Sequence, residues 1–186
     1  MLEDDILPLQ EMLSTNEGVE TSMYLDNDQP GNVTVGVGHE IPTVSMADEI
    51  PFVLVASGAP ATPAEIAQGY YALKSMAPRP DGKLRRYLGL FLESADIDAL
   101  LMADLAVCDT YLHNLFSEFD GYPQGPRLAS FDMTFNLGSL REFPLLTHAI
   151  LSQDWATAAQ QCNRIGVSVA RNEATKNLFL SAANQS

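Results

Sequence analysis

The chain has 186 residues, which at about 150 residues per domain is roughly one domain. Hydrophobic residues make up 46%, with 12 Gly and 11 Pro, which excludes a disordered tail or a collagen-like rod. Ten Lys and Arg against 24 Asp and Glu give a net charge of −14, so long-range attraction to nucleic acid or to an anionic membrane is not expected. No apolar run approaches the roughly 20 residues of a membrane helix, so membrane insertion is not expected either. Residues 1–73 hold twelve acids and no Lys or Arg; the first basic residue is Lys74.

Residues 4–14 alternate acidic and apolar side chains and predict a short helix leading into Asn16-Glu17-Gly18. Met23-Tyr24-Leu25-Asp26 and Val33-Thr34-Val35-Gly36-Val37-Gly38-His39 carry β-branched and aromatic residues on either side of the turn formers 27–32. Together they predict a small antiparallel hairpin. Gly36 and Gly38 lack side chains on alternate positions, which admits a close neighbour to the backbone. Residues 40–61 are punctuated by proline, and Phe52-Val53-Leu54-Val55 within them fits a strand or an anchored loop.

Thr62-Pro63-Ala64-Glu65 combines an N-cap, a proline at the first helical position and an early acid, predicting a helix to about residue 76. Residues 77–82 break it. Ser94 is expected to cap a long helix over about 95–116. After a second break at 121–126, residues 127–137 predict a buried helix. Three more follow at 142–151, at 154–164 with Asp154 as cap, and at 172–183. The count is mostly helix with one small sheet near the front, an α+β chain.

Cys108 and Cys162 make neither a disulfide framework nor a metal site, and two buried free thiols are expected. His39, His113 and His148 show no metal-ligand spacing, so no metal and no cofactor is expected.

Glu17 and Asp26 sit on adjacent elements, a helix end and a hairpin strand. Two carboxylates facing one cleft are what glycoside hydrolysis needs. One stays protonated to donate to the leaving sugar oxygen; the other stays ionised to activate water or stabilise positive charge at the anomeric carbon. In a region with twelve acids such a pair also arises by chance, so the surrounding pattern matters.

That pattern reads E-G-x5-Y-x-D-x4-G-x2-T-x-G-x-G-H, from Glu17-Gly18 through Tyr24, Asp26, Gly31, Thr34, Gly36, Gly38 and His39. It resembles the phage-type lysozymes, the family-24 glycoside hydrolases. In the second half, Phe135-Asn136-Leu137-Gly138, Phe143, Asp154-Trp155, the late Arg171 and the acid Asp104 on the long helix continue the likeness. Residues 40–61 and 78–93 have no counterpart and look like an enlarged first lobe.

The resemblance implies a lysozyme-like fold. Residues 1–93 would form a small lobe with the catalytic hairpin and an enlarged insertion, and 94–186 the long connecting helix and a helical lobe, with the cleft between them. It implies Glu17 as general acid, Asp26 as second carboxylate and Thr34 as the residue positioning the attacking water. Arg171, Asn136, Gly36, His39 and Asp104 would bind substrate or support the site. The bland reading of Glu17 with Arg171 is a structural salt bridge. His39 with Asp104 is expected to be a structural ion pair, Asn136 a sugar contact or a cap, and Phe143 and Trp155 packing residues.

The activity implied is hydrolysis of the β-1,4 bond between N-acetylmuramic acid and N-acetylglucosamine, a bacteriolytic muramidase acting on peptidoglycan glycan strands. The domain of a secreted antibacterial effector, with a dedicated inhibitor (immunity) protein as partner, is one setting for it. A chitosanase-like enzyme and a non-catalytic wall-binding or partner-binding domain are the alternatives. A monomer is expected. The first residues, MLEDDILPLQ, are acidic where a secretory signal is basic. The expectation is therefore synthesis in the cytoplasm and action on the wall, in the periplasm or outside, after delivery.

Overall fold

A computed structural model describes residues 1–26, 31–77 and 84–183. The turn expected at 27–32 and the break expected at 77–82 lie partly outside these residues. Among the described residues the chain is mostly helical with a small antiparallel sheet, the α+β class read from the sequence. No helix is long and apolar enough to cross a membrane.

By internal contacts the chain forms two compact units, Met1–Asn16 with Ala103–Ser186, and Glu17–Met102. The chain passes from one to the other inside two helices, α1 (Glu3–Glu17) and α4 (Ser94–Leu115). These boundaries differ from a simple cut at 93/94, because the first helix clusters with the C-terminal residues rather than with the hairpin that follows it.

In the unit Glu17–Met102, strands β1 (Glu20–Leu25), β2 (Val33–Gly36), β3 (His39–Ile41) and β5 (Arg85–Arg86) form one antiparallel sheet in the order β3-β2-β1-β5. The expected hairpin is β1–β2, with Tyr24 opposite Thr34 and Leu25 opposite Val33. β3 extends it, because the chain turns back through Gly36-Val37-Gly38 so that His39 pairs with Val35. Every residue of β2 and the last four of β1 are buried, so both faces of the hairpin are covered.

One cover is α3 (Pro63–Lys74), which packs on β1 and β2. Its Thr62 cap works as expected. The Thr62 hydroxyl accepts the Glu65 N–H at 3.4 Å, and the Glu65 carboxylate accepts the Thr62 N–H at 2.8 Å. Residues 40–61 hold α2 (Val44–Ala47) and the two-residue strand β4 (Val53–Leu54), which pairs with β6 (Leu90–Phe91).

The other unit is built on α5 (Gln124–Leu137), whose residues Pro126–Thr134 are all buried. α8 (Val169–Ala183) packs on α5 and on α7 (Trp155–Gln161), and α6 (Pro144–Leu151) packs on α7. Phe116, Phe119, Tyr122, Phe131 and Trp155 form an aromatic cluster, mostly edge to face, at ring separations of 5.3–6.2 Å, so Trp155 is a core residue as expected. Phe143 is half-buried. Cys108 and Cys162 are both free and buried. Asp5 is also buried, its two oxygens held by Arg127 Nε and Nη2 at 2.7 and 2.8 Å.

Candidate functional site

Glu17 is the last residue of α1 and is half-buried. Gly18, at φ +80°, ends the helix in the left-handed region and sends the chain into β1. The β2–β3 turn then comes back beside Glu17. Gly36 and Gly38 take φ of +65° and +74°, a conformation that a Cβ penalises. A Cβ on Gly38 would stand 3.6 Å from Glu17 Cγ and 3.8 Å from Oε2; one on Gly36 would stand 3.5 Å from Ile97 Cγ2. The close neighbour expected for these glycines is therefore, at Gly38, the side chain of Glu17.

Asp26 follows β1 directly and is half-buried, its N–H donating to the Asn32 carbonyl at 2.8 Å. Thr34 is buried opposite Tyr24, its hydroxyl at a long 3.5 Å from the same Asn32 carbonyl.

Tyr24 links these groups. Its phenol is pushed up to about 12, first by burial and then by the negative charge of Asp26, Glu20 and Glu17, while a hydrogen bond with the Thr34 side chain opposes the rise. One phenol thus feels the charge of both candidate carboxylates and shares a hydrogen bond with the candidate hydroxyl. A phenol titrating that high stays neutral near pH 7 and adds no charge to the pair.

Tyr24 stands inside the sequence pattern, yet no role attaches to it there; its place opposite Thr34 is the signal, legible only once the register is known. Glu20 is the third acid near it. Its carboxylate takes the Arg86 Nε at 2.7 Å and a second bond from Nη2, and that bonding to Arg86 lowers its pKa. Glu20 is therefore an ionised, paired group, unsuited to donate a proton.

The other expected site residues are divided between the two units. His39 opens β3, half-buried, in the unit with Glu17, whereas Asp104 lies on the other unit's stretch of α4. Arg171 and Asn136 belong to a buried network in the helical unit. Asp132 is its centre, a carboxylate that is 1% exposed. Its Oδ1 accepts Arg171 Nε at 2.9 Å, Arg171 Nη2 at 2.7 Å and Asn16 Nδ2 at 3.2 Å. Its Oδ2 accepts Arg164 Nη2 at 2.6 Å and the Thr175 hydroxyl at 2.7 Å.

Asn136 Oδ1 faces Arg164 Nη1 at 3.4 Å, a third role beside the sugar contact and the cap considered from sequence. Burial pushes the Asp132 carboxyl up, but the Arg171 hydrogen bonds and the Arg164 and Arg171 charges more than reverse it and hold it below its usual range.

Sequence reading overlooks Asp132, Arg164 and Thr175. The signal was a lone acid inside the apolar stretch Phe131-Asp132-Met133, since a carboxylate in a buried helix must find cations. Asn16, the residue before Glu17, is one of the groups Asp132 holds, so the network anchors the end of α1.

Compared with models of known protein families the chain matches none, and no curated protein matches it.

Proposed function

We propose that this protein is a glycoside hydrolase of the lysozyme type, a muramidase cleaving the β-1,4 bond of peptidoglycan glycan strands. The observation that carries the reading is the local geometry that sets Glu17, at the end of α1, against the Gly38 turn, with Asp26 just beyond β1 and Thr34 on the strand paired with it. In this mechanism Glu17, backed by the turn at Gly38, gives its proton to the glycosidic oxygen. Asp26 stays ionised at the mouth of the hairpin and faces the positive charge that grows on the anomeric carbon, while Thr34 orients the water. The paired Glu20 takes no part, because Arg86 keeps it charged. The wall is reached after delivery, since a chain of net charge −14 has no attraction to an anionic surface.

The same charge favours a second reading, a cationic glycan such as chitosan as substrate on the same constellation. A digest of purified cell walls and of chitosan by the wild type and by Glu17→Gln tests both. Muramic acid reducing ends from the wild type, with a rate lower by roughly 10²–10⁴-fold in a variant that melts like the wild type, support the muramidase. Products from chitosan alone move the reading to a chitosanase. Absence of products from either leaves a binding domain, and substantial lysis by a well-folded Glu17→Gln rejects Glu17 as the acid.

A further inference from the structure

In the helical unit, α4 and α6 line a hollow that continues as a second one along α4 alone, and the two together make a valley. Along α4 the lining residues include Val107, Tyr111 and Leu115, four residues apart; along α6 they are Pro144, Thr147, His148 and Leu151, the spacing of one helix face. The valley consists of two hollows of about 300 and 540 Å³ that share Tyr111. Its floor is held where the Tyr111 hydroxyl accepts the Leu140 N–H at 2.8 Å. Val107 is 70% exposed and Leu151 53%, so apolar surface lies open to water in both hollows.

The charge of this valley runs opposite to that of the chain. In a protein with 24 acids and ten Lys and Arg, none of the lining residues is an acid, and Arg141 and His148 stand among them. Arg141 is exposed and enters no ion pair among the described residues, unlike the buried Arg127, Arg164 and Arg171.

We propose that this valley docks an amphipathic helix of a partner protein, apolar on one face and acidic along its flank. A third helix laid between two others buries its apolar stripe against both walls. The α4 wall from Ala106 to Leu115 rises about 14 Å, which fits a segment of two to three turns. Carboxylates on its flank meet the Arg141 guanidinium, and the His148 ring offers a hydrogen-bonding nitrogen. At physiological salt the screening length is about 8 Å, so the Arg141 charge acts on a docked helix more strongly than acids farther away. A second copy of this chain fits less well, because both copies carry −14.

The test titrates the full, isotope-labelled chain with a lactam-bridged helical peptide of about twelve residues. The peptide carries leucines at i, i+3, i+4 and i+7, with glutamates on the flank. The expected result is saturable shifts of amides over 106–115 and 140–151, with a Kd below about 100 µM. Binding should weaken at least roughly tenfold in Arg141→Glu and Val107→Glu, and for the same peptide with lysines in place of glutamates. Both substituted positions are exposed, so the variants keep the fold. Lack of saturable shifts, or equal binding by the lysine peptide, overturns the proposal. So does reversible self-association abolished by Val107→Glu, or shifts produced only by phosphatidylglycerol vesicles.

Discussion

Asp132 on one side, and Glu17 and Asp26 on the other, are carboxylates that differ in burial and in the elements that carry them. Asp132 is buried and surrounded by Arg164, Arg171, Thr175 and Asn16, with both oxygens engaged by cations. Glu17 and Asp26 are half-buried, on a helix end and at a hairpin mouth, beside a buried neutral phenol. Burial with two guanidinium groups commits a carboxylate to being charged and immobile, which suits a strut. Partial exposure at the end of an element keeps a carboxylate in reach of a ligand, which is what the proposed chemistry asks of Glu17 and Asp26.

The contrast breaks first at the strut. Asp132→Ala leaves Arg164 and Arg171 as buried, uncompensated charges, and is expected to cost about 3–5 kcal/mol in urea unfolding. Glu17→Gln should leave the melt nearly unchanged. Because the folded Asp132 carboxyl lies below its unfolded value, its stabilisation is complete above about pH 4 and lost as pH falls through the folded value. A melt for Asp132→Ala close to that of the wild type would remove the strut.

Two glycines sharpen the other side. Gly38 and Gly58 both have positive φ, at +74° and +68°, but a Cβ on Gly58 meets nothing within 4 Å. Alanine at either should cost about 1 kcal/mol of stability. Only Gly38→Ala, with its methyl against Glu17, should also lower the hydrolytic rate, by roughly tenfold. Equal rates in the two variants would detach the turn from the site.

A helix cap calibrates the scale. Thr62→Ala removes the hydroxyl half of the capping box while the Glu65 carboxylate still accepts the residue-62 N–H, and is expected to cost about 1 kcal/mol in thermal or urea unfolding, with activity unchanged.

The smallest effect is a titration. His113 lies beside the Asp109 carbonyl and carboxylate at 2.9 and 3.2 Å and the Asp120 carboxylate at 3.2 Å. The Asp109 carbonyl bond raises its pKa most; partial burial opposes this, and the Asp120 and Asp109 carboxylates add to the rise. Its stabilisation is full below about pH 6.5 and fades as pH rises through the raised folded value. The ring is 35% exposed, so solvent screening keeps the effect under about 1 kcal/mol. A melt of His113→Gln should vary less between pH 6 and 8 than that of the wild type.

Much of this was legible in the residues. Thr62 and Asp154 cap α3 and α7 because a side-chain oxygen next to free helical N–H groups works through neighbours in the chain. The helices around the core could be read from apolar spacing, and the hairpin from its turn formers. The third strand could not, because the pairing of His39 with Val35 depends on two left-handed glycines returning the chain.

Local chemistry, then, was determined by sequence alone: the Thr62 and Asp154 caps, the mostly helical α+β class and the acidic surplus. Which carboxylate is a strut and which stands beside a neutral phenol was decided only by tertiary structure. Asp132 meets Arg164 and Arg171 from 32 and 39 residues away, and Tyr24 meets Thr34 through a strand register. Burial and charge neighbours set how a carboxyl behaves, and both depend on residues that the fold, rather than chain order, brings together.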